Sequence, residues 1–297
     1  MVINSIKFSV FILIALALVA YLKPNEKKLV KVNNVRQDKV IKYSFFTAGH
    51  TYGNASNYIY GMHPPFVKAI PYINNYPKMK LGMLTGDVVP NPTAAYWDSA
   101  QATISQFNFP VHIASGNHDR GPEFLNRFQT YYHSFVFEND LFVVLTPNNN
   151  WNIDKWQKNM LSRALINHID NVNHVFIFLH ELIWWAPDNK FGNIEINYRP
   201  HFPGHSNFYS EVKPMLDTLS KKVVFFAGDL GNTTEVDSYM YYKEGNITLI
   251  ANGMGNGVSD NIVIVEVYNN DSINYKLMGL NSPIPYEIER LEDYVLP

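Results

Sequence analysis

From residue 41 onward, short apolar runs alternate with longer segments in which apolar and polar positions are mixed. Short continuous apolar runs are typical of buried strands, and the mixed segments are typical of helices that pack on a sheet. The predicted strands that end in a polar turn are Tyr43–Thr47, Lys80–Thr85, Val111–Ala114, Val175–Leu179 and Val223–Ala227. The predicted helices are Thr93–Phe107, Asp154–His168 and Asn207–Leu219.

Further strands complete this pattern. Ser134–Phe137 and Leu141–Leu145 are joined by a three-residue polar turn and predict a hairpin. Three more apolar runs, Ile247–Ala251, Ile262–Tyr268 and Ile273–Met278, predict strands nearer the C-terminus. Strands that alternate with helices predict an α/β fold with mixed β-sheets flanked by helices, in which ligands bind at the carboxyl ends of strands.

Side chains that can bind a metal ion follow four of the predicted strands. They are Asp87, the turn Gly116-Asn117-His118-Asp119, His180 and Asp229. Each also has a structural explanation: Asp87 could cap the next segment, His180 could be a hydrogen-bonded core histidine, and Asp229 lies in a good turn sequence. Four such strand ends together favour a common site, and Glu181, beside His180, is expected to point away from it.

Composition limits the possible classes of protein. The 297 residues are 46% hydrophobic, which is enough to form a large core in one domain. The net charge of −2 and the lack of a basic run interleaved with aromatic residues give no support for nucleic-acid binding. The chain has no Cys, which excludes disulfides, thiolate metal sites and a Cys nucleophile.

An apolar run of fifteen residues, Phe8–Leu22, lies near the N-terminus after Lys7. This arrangement is typical of a signal sequence, and it is short for a full membrane span of about 20 residues. The bulky Leu18 occupies the position where a cleavage site needs a small residue. We expect residues 1–22 to form an apolar helix that anchors an exported domain to the membrane, with 23–40 as a tether. Cleavage that yields a secreted or periplasmic protein is the alternative.

Residues 43–268 resemble the calcineurin-like metallophosphoesterases, which carry five motifs in a fixed order. Three motifs match: Gly86-Asp87, Gly116-Asn117-His118-Asp119 and the lone His180. The first motif, Asp-x-His, is represented by Ala48-Gly49-His50, and the fifth, Gly-His-x-His, by Gly228-Asp229-Leu230-Gly231. The resemblance implies a four-layer αββα fold over residues 41–297 and a divergent site in which a carboxylate and two imidazoles are missing.

The resemblance also implies how the ligands are shared. In that family the Gly-Asp carboxylate bridges two metal ions. One ion corresponds here to Asp87, Asn117, His180 and Asp229, with a carboxylate in place of an imidazole. The other keeps only His50 and Asp87, because Ala48 and Gly231 cannot bind it. We expect one tight divalent ion, which can be Mn, Fe, Zn or Ca, and a second site that is weak or absent.

The implied activity is metal-dependent hydrolysis of a phosphoester, with a small phosphoester or an envelope sugar phosphate as substrate. His118, oriented by Asp119, is expected to protonate the leaving oxygen or to hold a nonbridging one, and Arg120 could add charge stabilisation. One alternative is a degenerate member that binds a ligand or partner without turnover, which the lost ligands favour. A serine hydrolase of the Gly-Asp-Ser type is excluded, because Val88 follows Gly86-Asp87. The sequence leaves the oligomeric state open.

Overall fold

The structure is a computed structural model that describes residues 39–297, apart from 55, 57, 58, 198, 200, 201 and 284–286. The predicted anchor at 1–22 and all but the last two residues of the predicted tether lie outside the described residues. Within them, no helix has both the length and the apolar character needed to cross a bilayer.

The strands of the described part form two sheets, and the helices cover their outer faces. The strands are β1 Ile41–Ala48, β2 Met79–Thr85, β3 Val111–Ala114, β4 His133–Phe137, β5 Asp140–Val144, β6 His174–Phe178, β7 Lys222–Ala227, β8 Tyr239–Glu244, β9 Ile247–Asn252, β10 Asn261–Tyr268, β11 Ile273–Gly279 and β12 Glu287–Arg290. The helices are α1 Pro64–Asn74, α2 Ala94–Ile104, α3 Pro122–Phe128, α4 Lys155–His168 and α5 Pro214–Asp217, with single 3₁₀ turns at Ile169–Asn171 and Leu291–Asp293 and a π-helical turn at Phe208–Val212.

Each sheet has six strands and mixes parallel with antiparallel pairs. The first sheet has the order β12-β11-β10-β1-β2-β3, in which β1, β2 and β3 are parallel to one another. The second has the order β4-β5-β6-β7-β9-β8, in which β5, β6, β7 and β9 are parallel. The strands that carry the sequence motifs therefore all lie in the parallel parts of the two sheets.

A layer of aromatic side chains joins the sheets face to face. The ring of Phe45 on β1 lies 5.1–6.0 Å from four Phe rings of the second sheet. On the outer side of the first sheet, Phe66, Trp97 and Phe124 bring α1, α2 and α3 into one core, and Leu161 of α4 belongs to a second core outside the other sheet. The order of layers is helix, sheet, sheet, helix, which confirms the predicted mixed two-sheet α/β fold.

Some predicted elements differ from the structure. The predicted helix over 207–219 is wrong: the chain makes a π-helical turn at Phe208–Val212 and then the four-residue helix α5. Pro214 begins α5 and lacks an N–H group, so it cannot extend the preceding turn by a hydrogen bond. Helices α1 and α3 and strands β8 and β12 were not predicted. Helix α1 contains Pro71, which weakens its sequence signal.

Candidate active site

The carboxyl ends of β1, β2 and β3 meet those of β6 and β7 at one edge of the sandwich, which we call the catalytic edge. Here the turns of the two sheets touch. The N–H of Gly228 donates to the His180 carbonyl at 2.9 Å. A Cβ atom on Gly228 would lie 1.8 Å from the Thr85 carbonyl oxygen, and one on Gly49 would lie 2.3 Å from the Gly228 Cα. Glycine is therefore required where the turns of the two sheets cross.

Two residues of the catalytic edge adopt a left-handed backbone conformation. His50 has a φ of 56° and Asp87 a φ of 53°. Such angles are uncommon for non-glycine residues and cluster at functional sites. Two hydrogen bonds fix them, from His50 N–H to the Gly86 carbonyl at 3.0 Å and from Tyr52 N–H to the Asp87 carbonyl at 3.2 Å. The backbone thus holds both side chains toward the same space.

His180 lies at the centre of the catalytic edge and is fully buried. Its Nδ1 donates to the Thr85 carbonyl oxygen at 2.9 Å, whereas its Nε2 is buried without a hydrogen-bond partner among the described residues. Nε2 lies 3.4 Å from Asp87 Oδ2 and 3.7 Å from Asp229 Oδ1, and His50 Nε2 lies 3.6 Å from the same Asp87 oxygen. These separations exceed those of ordinary hydrogen bonds.

Charge interactions at this edge oppose the effect of burial. Burial alone would lower the pKa of His180, but the carboxylates of Asp87 and Asp229 together hold this pKa well above its ordinary value. Burial would raise the pKa of Asp87, but the imidazoles of His180 and His50 hold it well below its usual range. The carboxylate of Asp87 is therefore ionised at neutral pH.

The pKa values of the other two groups, Asp229 and His50, shift in the direction that burial favours. Burial, with the like charges of Asp87 and Glu181, raises the pKa of Asp229 to about 6, although His180 opposes the shift. Burial lowers the pKa of His50 to about 4, against the pull of Asp87. His50 is thus neutral at pH 7, which is the form in which an imidazole binds a metal ion.

The spacing within each pair of these donor atoms suits a shared divalent cation. Two ligands at tetrahedral angles around an ion at about 2.1 Å lie about 3.4 Å apart, close to the separations measured here. A Cβ on Gly116 would lie 2.1 Å from Asp87 Oδ1, so Asp87 fills the space that a side chain would need. Among the described residues, however, no group of three or more His, Asp or Glu side chains converges into a ready metal site. A complete ligand set therefore needs a donor of another kind.

Asn117 and His118 lie on the turn after β3. Asn117 is exposed and lines a cavity of about 50 Å³ together with Asp229, which places an amide beside the carboxylates. His118 is half-buried, and its Nδ1 donates to the Pro90 carbonyl at 2.8 Å. In the neutral ring this bond leaves the lone pair on Nε2. The backbone N–H of His118 also donates to Asp87 at 3.2 Å.

Asp119 has a different role from the one expected. Its oxygens accept hydrogen bonds from the N–H groups of Val88, Val89 and Gly116 at 2.8–3.1 Å. Burial and the nearby Asp87 raise the pKa of its carboxyl group to about 7. Asp119 fastens the turn after β2 to the turn after β3, while the Pro90 carbonyl holds the His118 ring. The expectation that Asp119 orients His118 is corrected accordingly.

Sequence reasoning missed a buried ion pair beside the site. Glu181, expected to point away, is only 4% exposed and lines the same small cavity as Asn117 and Asp229. Its Oε1 accepts a hydrogen bond from Arg120 at 2.6 Å, and burial raises its pKa although Arg120 opposes the shift. The available signal was Glu181 directly after a strand-end histidine, because a carboxylate at that position needs a cation if it is buried.

Comparison with known proteins gives matches to solved structures. A dimetal phosphatase from Danio rerio matches with a TM-score of 0.61 and 12% identity, over 81% of this chain and 97% of that one. A putative 5′-nucleotidase from Staphylococcus aureus, in complex with α-ketoglutarate, matches with a TM-score of 0.44 and 11% identity, over 83% of this chain and 56% of that one. No family model and no curated protein matches the sequence. The first match shows that this chain and that dimetal phosphatase share their fold.

Proposed function

We propose that this protein is a metal-dependent phosphoesterase that hydrolyses its substrate at the catalytic edge. The observation that carries the proposal is the Nε2 atom of His180, which is fully buried, has no hydrogen-bond partner among the described residues and lies near the carboxylates of Asp87 and Asp229. A buried Nε2–H without a hydrogen bond is costly. A divalent ion between Nε2 and the two carboxylates would replace the proton that these carboxylates stabilise, and the ring would then bind the ion in its neutral form. The likeness of the fold to a dimetal phosphatase supports a metal ion as that ligand.

One divalent ion would be held by Asp87, His180, Asp229 and the amide of Asn117. A bound divalent ion polarises a phosphoryl oxygen and lowers the pKa of a coordinated water molecule. Carboxylate, amide and imidazole donors accept Mn, Fe, Zn and Ca, so the ligand set leaves the metal identity open.

A second ion would find only His50 and Asp87. Gly231 takes the place of a family imidazole and has a φ of 78°, and a Cβ there would lie 2.8 Å from the Gly253 backbone. The backbone therefore leaves no room for a ligating side chain at this position. We propose one tight ion and a second that is weak or absent.

His118 supplies the proton in this proposal. Hydrolysis breaks the bond between phosphorus and the leaving oxygen and one O–H bond of water, and it joins the water oxygen to phosphorus. The departing oxygen takes a proton from the donor, and the proton lost by water restores that donor. The Pro90 carbonyl holds the Nδ1–H of His118, so a second proton carried on Nε2 is the one that can be donated. Asp119 acts indirectly, by holding the two turns that present Asp87 and His118.

A panel of phosphomonoesters, phosphodiesters and envelope sugar phosphates, assayed with Mn²⁺, Fe²⁺, Zn²⁺ and Ca²⁺, tests the proposal. We expect turnover with at least one ion and its loss after chelation. A protein that turns over none of these substrates with any ion would instead fit the ligand- or partner-binding module. Ala48 and Gly231, which stand where the resembling family has metal ligands, favour this second candidate.

We also propose that the enzyme is an exported protein held at the membrane by Phe8–Leu22. The support is the sequence alone: Lys7, the apolar run and the bulky Leu18 at the cleavage position. Fractionation of the full chain followed by mass spectrometry of its N-terminus tests this. A mature start near residue 21 would instead indicate a secreted or periplasmic protein.

A further inference from the structure

Two cavities adjoin at the catalytic edge, and Asn149 lines both of them. The smaller one, of about 50 Å³, contains Asn117 and Asp229 and lies beside the proposed metal ligands. The larger one, of about 440 Å³, extends away along the turn after β5 and reaches Arg120 and Tyr132. Its size falls in the range of small-molecule sites, about 300–1,000 Å³. A phosphoryl group in the smaller cavity would therefore direct its ester substituent toward the larger one.

The buried ion pair between Arg120 and Glu181 separates the two cavities. Glu181 lines the small cavity and Arg120 lines the large one. Their side chains are only 5% and 20% exposed, and Glu181 Oε2 and Arg120 Nε are buried without hydrogen-bond partners among the described residues. Burial of such atoms is costly, and the pair that contains them contributes one side chain to each cavity.

The pair also determines which charge the larger cavity accepts. Arg120 is the one cation among the described residues that line either cavity, and the carboxylate of Glu181 neutralises it at 2.6 Å. A neutralised guanidinium attracts a second phosphate weakly but still donates hydrogen bonds to uncharged oxygen atoms. Asp154 also lines the larger cavity, so the charge balance disfavours a second anionic group and favours an uncharged one.

Other side chains of the larger cavity are suited to hydroxyl groups. Tyr132 and Asn150 line it, and the hydrogen bonds that these two residues make to Thr130 and Asn148 involve only their backbone atoms. In contrast, Gln157 is bonded through both its amide oxygen and its amide nitrogen to the backbone of Thr146 and forms a fixed wall. The cavity thus combines open phenol and amide groups with a rigid boundary.

We propose that the larger cavity is the leaving-group site and binds an uncharged, hydroxyl-rich group, such as the sugar of a free sugar phosphate or of a nucleotide. Tyr132, Asn150 and the outer face of Arg120 donate or accept the hydrogen bonds that select it. This inference rests on the proposed phosphoesterase function and specifies its substrate class. Glu181 is a positioning residue, because it acts through Arg120.

The test uses the full chain with the ion that supports turnover and compares matched phosphomonoesters. Glucose 1-phosphate and adenosine 5′-monophosphate carry a hydroxyl-rich group from the two sources, phenyl phosphate carries none, and fructose 1,6-bisphosphate adds a second charge. We expect kcat/KM to be at least about tenfold higher for the better of the first two than for phenyl phosphate or the bisphosphate. Equal values for all four would overturn the inference while leaving the phosphoesterase function intact.

Variants show whether the named side chains cause the preference. Tyr132→Phe and Asn150→Ala should each lower the ratio of kcat/KM for the sugar ester over phenyl phosphate by about fivefold to tenfold, mainly through KM. Asn159→Ala, an exposed Asn on the outer helix α4, is the matched control and should leave the ratio unchanged. A fall that is equal for both esters would overturn the assignment.

The Glu181→Gln variant provides a second test, because a purely structural role of Glu181 would leave the substrate preference unchanged. Removing the carboxylate charge leaves Arg120 unneutralised, so the ratio of kcat/KM for fructose 1,6-bisphosphate over glucose 1-phosphate should rise about threefold to fivefold. An unchanged ratio in a folded variant would contradict the neutralisation argument.

If no ester is turned over, binding measured by calorimetry tests the leaving-group site. Glucose 1-phosphate should then still bind wild-type protein about tenfold more tightly than methyl phosphate, and Tyr132→Phe should remove most of that difference. Equal binding of the two phosphates would refute the leaving-group site, independently of the catalytic proposal.

Discussion

Two buried pairs of histidine and aspartate lie at opposite ends of the strands, and their hydrogen bonding differs. At the amino end of β6, Asp140 accepts hydrogen bonds from His174 Nδ1 at 2.8 Å and from the Tyr43 hydroxyl at 2.5 Å. His174 Nε2 lies 3.0 Å from the Asp271 carbonyl oxygen, so both ring nitrogens have partners. At the carboxyl end, His180 keeps one nitrogen unpartnered among the described residues, 3.4 Å from Asp87.

The difference separates a structural cluster from a candidate site. A fully hydrogen-bonded buried cluster stabilises the fold by fixing β1 against β5 and β6 across the sandwich. A cluster with an open nitrogen and strained neighbours stabilises the fold less, and it is the cluster that we propose as the ion site. Substitutions at the two ends should therefore affect different quantities.

The largest effect is expected for Asp87→Asn. The variant keeps the shape of the side chain but loses the charge that faces both His180 and His50, so tight metal binding and turnover should both be lost. Elemental analysis and phosphoesterase assays of the folded variant check this. Full metal content in this variant would show that the ion binds elsewhere.

His118→Ala should reduce turnover by about two to four orders of magnitude and leave the metal content unchanged. The imidazole is expected to act on the substrate, whereas the neighbouring Asn117 is expected to bind the ion. Rates and elemental analysis on the same sample measure both quantities. Wild-type turnover would remove His118 from the mechanism and favour the binding module.

A tight ion should stabilise the protein by about 2.7 kcal/mol when its free concentration is 100 times Kd. Urea unfolding with and without the supporting ion measures this increment. We expect the same increment in Asp140→Asn and none in Asp87→Asn. Titration with the ion should saturate at one equivalent per chain. Two tight equivalents would show that the part of the site with His50 and Asp87 still binds a second ion.

Asp140→Asn should lower the free energy of unfolding by about 2 kcal/mol, because a charged acceptor of several buried hydrogen bonds becomes neutral. The value of kcat/KM should change little, since the residue lies at the opposite end of β6 from the catalytic edge. Urea denaturation and steady-state kinetics on one preparation give the two numbers. A large kinetic effect would mean that the two clusters are coupled.

The smallest effect concerns His112 on β3, which stacks on Phe135 and lies 3.3 Å from His133. Burial, aided by the His133 imidazole, lowers the pKa of His112 to about 4. A folded-state pKa below the unfolded value stabilises the protein above about pH 6.5, and this contribution is lost as the pH falls. Between pH 7 and pH 5 we expect a loss of about 1 kcal/mol after solvent screening, which His112→Phe should remove.

The sequence was sufficient to predict the strands that carry the motifs and to predict that the ends of these strands converge. Apolar runs of strand length such as Val223–Ala227 favour buried strands, and parallel strands bring their carboxyl ends together. Helix α1 was missed because Pro71 interrupts it, and β8 because Tyr239–Glu244 alternates too weakly.

The hydrogen bonds and ion pairs between residues far apart in the sequence could not be predicted. Nothing near Asp119 in the sequence indicates that its oxygens bind the N–H groups of Val88 and Val89, about thirty residues earlier. The same holds for Arg120 and Glu181, which are separated by 61 positions. Residue types at strand ends indicate which side chains meet, but folding decides which of them pair.

The closed backbone at Gly231 restricts which side chains this position can accept. A histidine at that position would need a left-handed backbone conformation and would place its Cβ 2.8 Å from Gly253 and 3.0 Å from Met254 N. The single substitution Gly231→His should therefore give a misfolded loop rather than a further metal ligand. A ligating side chain at this position would first require movement of the segment that includes Gly253, so the path of the main chain limits the chemistry of the site as much as its side chains do.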